Sequence, residues 1–531
     1  MAASSGLAGV GLLPTRLAAP APSWERRVDV VVVGSGVAGL MVALTAAKVA
    51  DVLVLTKGAL DAGSTAWAQG GIAAAIDLAD HPEAHYADTL RAGAGLCNSS
   101  AVRVLVEEGP QRLAQLISLG TAFDTDASGA LSLTREGGHG RRRIVHAGGD
   151  ATGYEVQRAL MAAVHADARI EVIDHAIVLD LLRSAPAPDG QRRVAGVVAS
   201  VPDPDGGEVT GRVEARAVVL ASGGIGHVYA SSTNPPVATG DGLALALRAG
   251  ASVADLEFVQ FHPTVLWQGP GAEGQQLLVS EAVRGEGAVL VDASGARVMA
   301  GVHPQGDLAP RDVVAKAMSV RMAQAVGGVD DHLWLDATGI GEAKLLQRFP
   351  TIVRRCRELG VDPAADLIPV APGAHFACGG VRTDRRGRTD VAGLYAVGET
   401  ACSGVHGAGS LAEQPARGAR VRRSRRRPAG ARPASRDRRR RRRRPAAGVV
   451  SARRRPSARR APHESRRRCA AYRRRTRRRG HCARRASRCS RRTADPSRLG
   501  SHERPHRRQG HRRRGHDSHR ESRLSLAGGS P

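Results

Sequence analysis

The sequence predicts an α/β protein: a Rossmann-like dinucleotide-binding domain, discontinuous along the chain, with a second, α+β domain inserted into it. Three stretches predict it. Val28–Lys57 reads VDVVVVGSGVAGLMVALTAAKVADVLVLTK, an apolar run, a Gly-rich turn, an apolar helical stretch and a second apolar run, which is the order of one βαβ unit. Ala217–Ala221 is another apolar run and passes into Ser222-Gly223-Gly224. Far downstream, Thr389–Thr400 (TDVAGLYAVGET) returns to a strand followed by Gly and an acid. One domain's pattern on both sides of a long mixed stretch is what an inserted domain leaves behind.

The charge divides the chain in two. Of 531 residues with a net charge of +28, residues 417–531 hold 44 Arg, no Lys and six acids, so residues 1–416 carry 34 basic and 44 acidic side chains. The body is therefore mildly acidic, as an ordinary enzyme is, and the overall basicity belongs to the end. No apolar run approaches the ~20 residues that span a bilayer. Cys97, Cys356, Cys378 and Cys402 form no paired framework in the body, which favours reduced thiols and a cytoplasmic setting.

Residues 1–26 are rich in Ala, Gly, Ser and Pro. They read as a disordered extension, either a plastid transit peptide or the product of an upstream start codon. Gly34-Ser35-Gly36-Val37-Ala38-Gly39 then sits between an apolar strand and a helix, the context in which glycines admit a pyrophosphate to a helix N-terminus. An acid about 20 positions on would hold an adenosine ribose, but Lys57 stands there. That weakens a simple NAD reading; Lys57 either neutralises phosphate or is a solvated lysine. Strand-like stretches follow at 171–182 and 194–213, and residues 256–374 form the inserted domain. Gly398-Glu399 puts a carboxylate after the returning strand, suited to the hydroxyls of a ribityl chain. Its plainer reading is a solvated strand-end acid. Two such segments bracketing the chain favour FAD, with residues 27–255 and 375–408 as the nucleotide-binding domain.

GSTAWAQGGIA at Gly63–Ala73, together with GSGVAGL, resembles the FAD-binding text of the superfamily that contains succinate dehydrogenases, fumarate reductases and aspartate oxidases. More motifs follow in that superfamily's order. They are HYADTLRAGAGLC (His85–Cys97), EGGHGRRRIVHAGGDATG (Glu136–Gly153), ASGGIGHVYASSTNPPVATGDG (Ala221–Gly242), EFVQFHPTVL (Glu257–Leu266), VSEAVRGEGAVL (Val279–Leu290), LAPRDVVAKA (Leu308–Ala317) and HFACGGVRTDRRGRTDVAGLYAVGE (His375–Glu399). The resemblance spans residues 28–408. It implies FAD held by Gly34, Ser35, Gly36, Val37, Ala38, Gly39, Lys57, Ser64, Thr65, Ala66, Trp67, Ala68, Gln69, Gly70, Gly71, Asp241 and Glu399.

Two features choose within the superfamily. The His that often links the flavin covalently has no counterpart in Gly63-Ser64-Thr65, so FAD is expected to bind non-covalently. Glu136 resembles the acid that in aspartate oxidases faces the substrate's ammonium group, a discrimination that succinate, having no cation, does not need. Without the motif, Glu136 beside Arg135 and Arg141 would read as a surface ion pair.

By the same resemblance, His262, His375, Ser280 and Arg311 are substrate contacts, and Arg311 is the acid/base candidate with Glu281, Arg284 and Asp312 near it. Intrinsically an arginine is a poor base, so a carboxylate clamp is the alternative role. The implied reaction moves a hydride equivalent from L-aspartate to the flavin and yields iminoaspartate. Oxygen, giving hydrogen peroxide, or fumarate takes the electrons, and quinolinate synthase uses the imine in de novo NAD synthesis. A succinate dehydrogenase or fumarate reductase flavoprotein is the rival enzyme. No metal site is expected.

The resemblance stops after Gly404-Val405-His406-Gly407-Ala408. The family continues with Asn-Arg and a Leu-Leu-Glu-Gly helix start, whereas Gly409 and Ser410 stand here, and residues 409–531 show no periodicity able to build a core. Pro415–Arg422 can be encoded so that reading from the second base gives Leu-Leu-Glu-Gly-Leu-Val-Phe. The segment is thus expected to be a disordered Arg-rich translation of a shifted frame, in place of the family's C-terminal helical domain. A non-specific nucleic-acid-binding tail is the rival reading.

Overall fold

The structure, a computed structural model, describes residues 20–203 and 205–409 together with Pro14 and Ala18. Most of the N-terminal extension and everything from residue 410 on, including the expected frame-shifted tail, lie outside the described residues.

Val30–Val33 is apolar on both faces because both are covered, as in any buried parallel strand. It ends strand Trp24–Val33, followed by helix Val37–Ala46 and strand Val52–Leu55. The helix buries Ala38, Leu40, Met41, Val42, Ala43 and Ala46, at about 1.5–3 kcal/mol for each large apolar side chain removed from water. It lies close because of Gly39, where a Cβ would come within 2.1 Å of the Gly34 carbonyl oxygen.

The main sheet has seven strands. Ile170–Ile173, Val52–Leu55, Trp24–Val33 and Glu208–Leu220 are neighbours in that order and parallel. Val194–Pro202 and Ile177–Arg183 extend the sheet antiparallel beyond the first half of Glu208–Leu220, while Leu394–Ala396 pairs parallel with its last three residues. The strand-like stretch at 171–182 is two strands, at opposite ends of the sheet, separated by a turn in which His175 takes a left-handed conformation (φ 53°). Likewise 194–213 is a hairpin whose second strand runs on into the Ala217–Ala221 run. Apolar alternation alone does not locate a turn between two adjoining strands.

A second, six-stranded sheet is organised around Ile368–Ala377, flanked by Val259–Leu266 and Leu333–Asp336. It also takes in Ser231–Ser232, through Ser232 opposite Ala374. With helices Arg311–Met322, Glu342–Arg348 and Pro350–Glu358 it encloses a separate apolar core that includes Leu290, Met318, Leu335, Phe349 and Ile352.

Candidate active site

Val33 is in register with Leu55 on one side and Leu220 on the other, and Leu220 with Ala396. The chain therefore leaves four neighbouring strands at one edge, as Gly34, Thr56-Lys57, Ala221–Gly223 and Val397–Glu399. Ligands of open α/β sheets bind at this carboxyl edge. A cavity of about 730 Å³ opens there, lined by all four turns and by Ser64, Thr65, Trp67, Gln69, Gly71, Asp241, Gln260, Arg311 and His375.

Sequence dictates the shape of this edge. Gly34 has φ +111°, and a Cβ on it would sit 2.2 Å from the Ala221 oxygen, so no other residue fits. Helix Val37–Ala46 has no side-chain cap from Gly36, which leaves its first turn facing the cavity as an anion site. The Thr65 hydroxyl accepts from Val37 N at 3.0 Å and fixes the Ser64–Trp67 turn beside it. Lys57 is not a solvated lysine: it is half-buried, 3.0 Å from Asp241 and hydrogen-bonded to Thr239. On the wall, Gln69 Oε1, Asn234 Oδ1 and Gln276 Oε1 are buried with no hydrogen-bond partner among the described residues. Unpartnered buried polar atoms are costly unless a ligand or water meets them. Glu399 faces the cavity and accepts from Ala377 N at 2.9 Å. Burial pushes its carboxyl up to about 7, against the pull of the Ala377 and Gly224 N–H groups. A glycine cradle at a helix N-terminus, a carboxylate for hydroxyls and unpartnered amides on the wall fit FAD.

Where the cavity meets the second sheet, cationic groups converge. Arg311 opens its helix and donates through Nε to Glu281 Oε2 (2.8 Å) and through Nη1 to Gln260 Oε1 (3.2 Å). Glu281 lies 3.6 Å from Arg284, and all three side chains are buried. Burial works against the charge on Glu281, but the guanidinium groups of Arg311 and Arg284 outweigh it and hold the carboxyl below its usual range. His262 Nδ1 accepts from Thr264 N at 3.2 Å, so in the neutral ring the proton sits on Nε2, and that nitrogen has no partner among the described residues. Burial first, and then Arg311, keeps His262 well below its ordinary pKa. His375, with ring centroid 5.2 Å from that of His262, is lowered to about 3 by the same two causes. Thr233 Oγ1 is 2.7 Å from its Nδ1. The cavity wall thus offers the Arg311 guanidinium and the neutral His375 imidazole, with His262, Glu281 and Arg284 buried behind them, an arrangement suited to an anionic ligand.

Glu136 is buried, and its partner is His146 Nε2 at 3.0 Å rather than Arg135 or Arg141. The surface ion-pair reading is therefore out. Next to it, Gly137 abuts Glu281, since a Cβ there would fall 1.8 Å from Glu281 Oε1. Behind this loop Arg143 is completely buried, paired through Nε and Nη2 with Asp80 and through Nη1 with Asp88 at 2.7–2.9 Å.

The structure brings together on the cavity wall Gly34 to Ala38, Lys57, Ser64, Thr65, Trp67 to Gly71, Asp241, Glu399, Arg311 and His375. Gly39 and Ala66 stand behind it, Gly39 serving helix packing. His262, Ser280, Glu281 and Glu136 lie outside the wall itself. Glu281 acts on Arg311, and Ser280 Oγ caps the short helix Glu281–Gly285 by accepting from Ala282 N. Gln260, Thr233, Asn234, Gln276 and His146 were missed by the sequence reading. Each sits in a quoted motif or next to one, but none carries a charge pattern that singles it out.

The FAD binding domain family matches residues 29–413. The L-aspartate oxidase of Streptomyces coelicolor is 58% identical over 398 residues, which are 75% of this chain and 67% of that protein. That of Mycobacterium tuberculosis strain H37Rv is 49% identical over 394 residues, 74% of this chain and 71% of that one. Among solved structures, a quinol fumarate reductase of E. coli superimposes with TM-score 0.67 at 33% identity, covering 74% of this chain and 68% of the other. The Sdh1 complex of Mycobacterium smegmatis gives TM-score 0.61 at 33% identity over 74% and 66%. With the glycine cradle, the anion-binding wall and this similarity in agreement, the chain belongs to the L-aspartate oxidase family of FAD-binding flavoproteins.

Proposed function

We propose that this chain is an FAD-dependent L-aspartate oxidase, converting L-aspartate to iminoaspartate with oxygen or fumarate as electron acceptor and hydrogen peroxide as the product from oxygen. The carrying observation is that Arg311 and His375 line one end of the nucleotide cavity, with His262 and Arg284 packed behind them and the buried carboxylate Glu136 in the adjoining loop. When bound, FAD supplies the two-electron oxidant. The turns at Gly34–Ala38 and Ser64–Gly71, with Lys57, Asp241 and Glu399, hold it. Nothing in Gly63-Ser64-Thr65 offers an imidazole for a covalent link, so binding is non-covalent.

The chain's own residues then do three things. Arg311, oriented by Glu281 and Gln260, and the Nε2–H of His262 bind substrate carboxylates, with His375 and Ser280 beside them. Glu136 meets the ammonium group, a contact that succinate cannot make. A proton leaving the substrate is taken up as Arg311 passes one of its own from Nε to Glu281 Oε2, 2.8 Å away, so that Arg311 stays protonated and Glu281, the one base of the group, carries the proton, with Arg284 3.6 Å from its other oxygen. Among the described residues no helix is long and apolar enough to cross a membrane, and Cys97, Cys356, Cys378 and Cys402 are free thiols, in keeping with a cytoplasmic enzyme that hands its imine to quinolinate synthase.

The test is anaerobic flavin bleaching in the FAD-loaded full chain, mixed with L-aspartate or succinate. Faster bleaching by aspartate, with aspartate-dependent peroxide in air, is expected. Bleaching by succinate alone would assign the chain to the rival dehydrogenases.

A further inference from the structure

Glu136 is held by a residue that the reaction does not otherwise involve. Leu133–Thr134 and Ile144–Val145 are paired antiparallel, with Thr134 opposite Ile144. Glu136 follows this small ladder at its Thr134 end and His146 at the opposite, Val145 end, so the His146 ring reaches back past Thr134 to meet Glu136. His146 is fixed on both sides: its carbonyl accepts from Asp124 N at 2.8 Å, and the next N–H, of Ala147, donates to Thr152 Oγ1 at 3.1 Å. Its ring spans from Thr134 Oγ1, 3.3 Å from Nδ1, to Glu136 Oε1, 3.0 Å from Nε2. Glu136 Oε2 is buried with no partner among the described residues. Its charge nonetheless reaches Arg284, whose ionised form it favours.

A carboxylate with one oxygen tied and the other left over is half of a site. We infer that His146 is a positioning residue, which holds Glu136 by Oε1 so that Oε2 is kept for the ligand's cation and an amino-dicarboxylate is preferred over a plain dicarboxylate. This rests on the reading that Glu136 meets an ammonium group.

The test measures dissociation constants of L-aspartate and succinate by calorimetry on the FAD-loaded full chain, so that turnover is not needed. His146→Leu is expected to weaken aspartate by about tenfold, the scale of one charge-assisted hydrogen bond, and to leave succinate within about twofold. His146→Gln, whose amide donates in the same direction, recovers most of the preference. A purely structural role would weaken both ligands alike. Equal weakening, or an unchanged ratio in H146L, overturns the inference while the reading of Glu136 stands, provided Glu136→Gln lowers the ratio. If E136Q leaves the ratio unchanged, or the unsubstituted chain binds neither ligand, the reading of Glu136 falls and the inference with it. Should H146L fail to take up FAD, His146→Asn, too short to reach Glu136, carries the same expectation.

Discussion

Glu399 holds its proton to about pH 7 because burial raises its folded pKa above the ordinary 4.5. The sign follows from linkage: the fold favours the neutral acid, so this group's contribution is fully present below about pH 4.5 and is lost as pH rises through 7. The loss amounts to at most about 3 kcal/mol, less where cavity water solvates the half-buried carboxylate. Ligand-free protein is thus expected to melt progressively lower between pH 5 and 8, and Glu399→Gln to flatten that slope. Parallel slopes in thermal melts of the two proteins would contradict it. At this scale the sequence was legible where one residue type satisfies a local demand, as at Gly34 with its positive φ. It was not legible at Gln260, whose task is to hold Arg311 from 51 positions away, nor at His146. Any side chain able to hydrogen-bond can take such a part, and only the folded chain selects it.

Two elements set the position of the site. The Glu136–Gly153 loop hangs on Arg143, which is buried between Asp80 and Asp88, while Asp88 also accepts from Gly140 N at 2.8 Å. Removing one partner of a buried ion pair leaves an uncompensated charge and costs about 3–5 kcal/mol. Arg143→Met is therefore expected to yield mostly insoluble protein, and the triple change with Asp80→Asn and Asp88→Asn to recover part of the soluble yield. The second element is helix Pro350–Glu358, whose N-terminus is capped from outside: Asp150 accepts from Thr351 N at 3.2 Å and Ile352 N at 2.9 Å. That helix lines the cavity through Arg355 and Glu358, and Leu359 just past its end does the same, so the cap ties the nucleotide-binding loops to the second sheet's layer. Asp150→Ala should cost about 0.5–2 kcal/mol, and a melting temperature unchanged within error would refute the cap's role. The helices and the βαβ unit were readable because their signals are local. The two-residue pairing of Ser231–Ser232 with the second sheet was not, since so short a strand carries no periodicity.

Across the whole molecule, residue 409 is where we propose that assigned function and attainable turnover separate. The described chain ends there beside the cation pocket: a Cβ on Gly409 would lie 3.7 Å from Gln260 Nε2, the amide whose oxygen holds Arg311. This is where the family's text places Asn-Arg, and where Gly409-Ser410 stands instead. On that proposal the Arg would complete the binding of a second carboxylate, a charge-assisted contact worth about 1.5–3 kcal/mol, or roughly 10–100-fold in affinity. We take the Arg-rich residues that follow as a shifted reading frame, because Pro415–Arg422 spells Leu-Leu-Glu-Gly-Leu-Val-Phe one base on. A gene returned to that frame near codons 408–414 is expected to give a protein without the 44-Arg segment and with aspartate kcat/KM at least tenfold above that of the present chain. Measuring peroxide formation by the two proteins, both loaded with FAD, decides it. Equal turnover would mean that the pocket is complete with Gly409 in place, and the absence of family-like text in the shifted frame on resequencing would remove the reason for expecting otherwise.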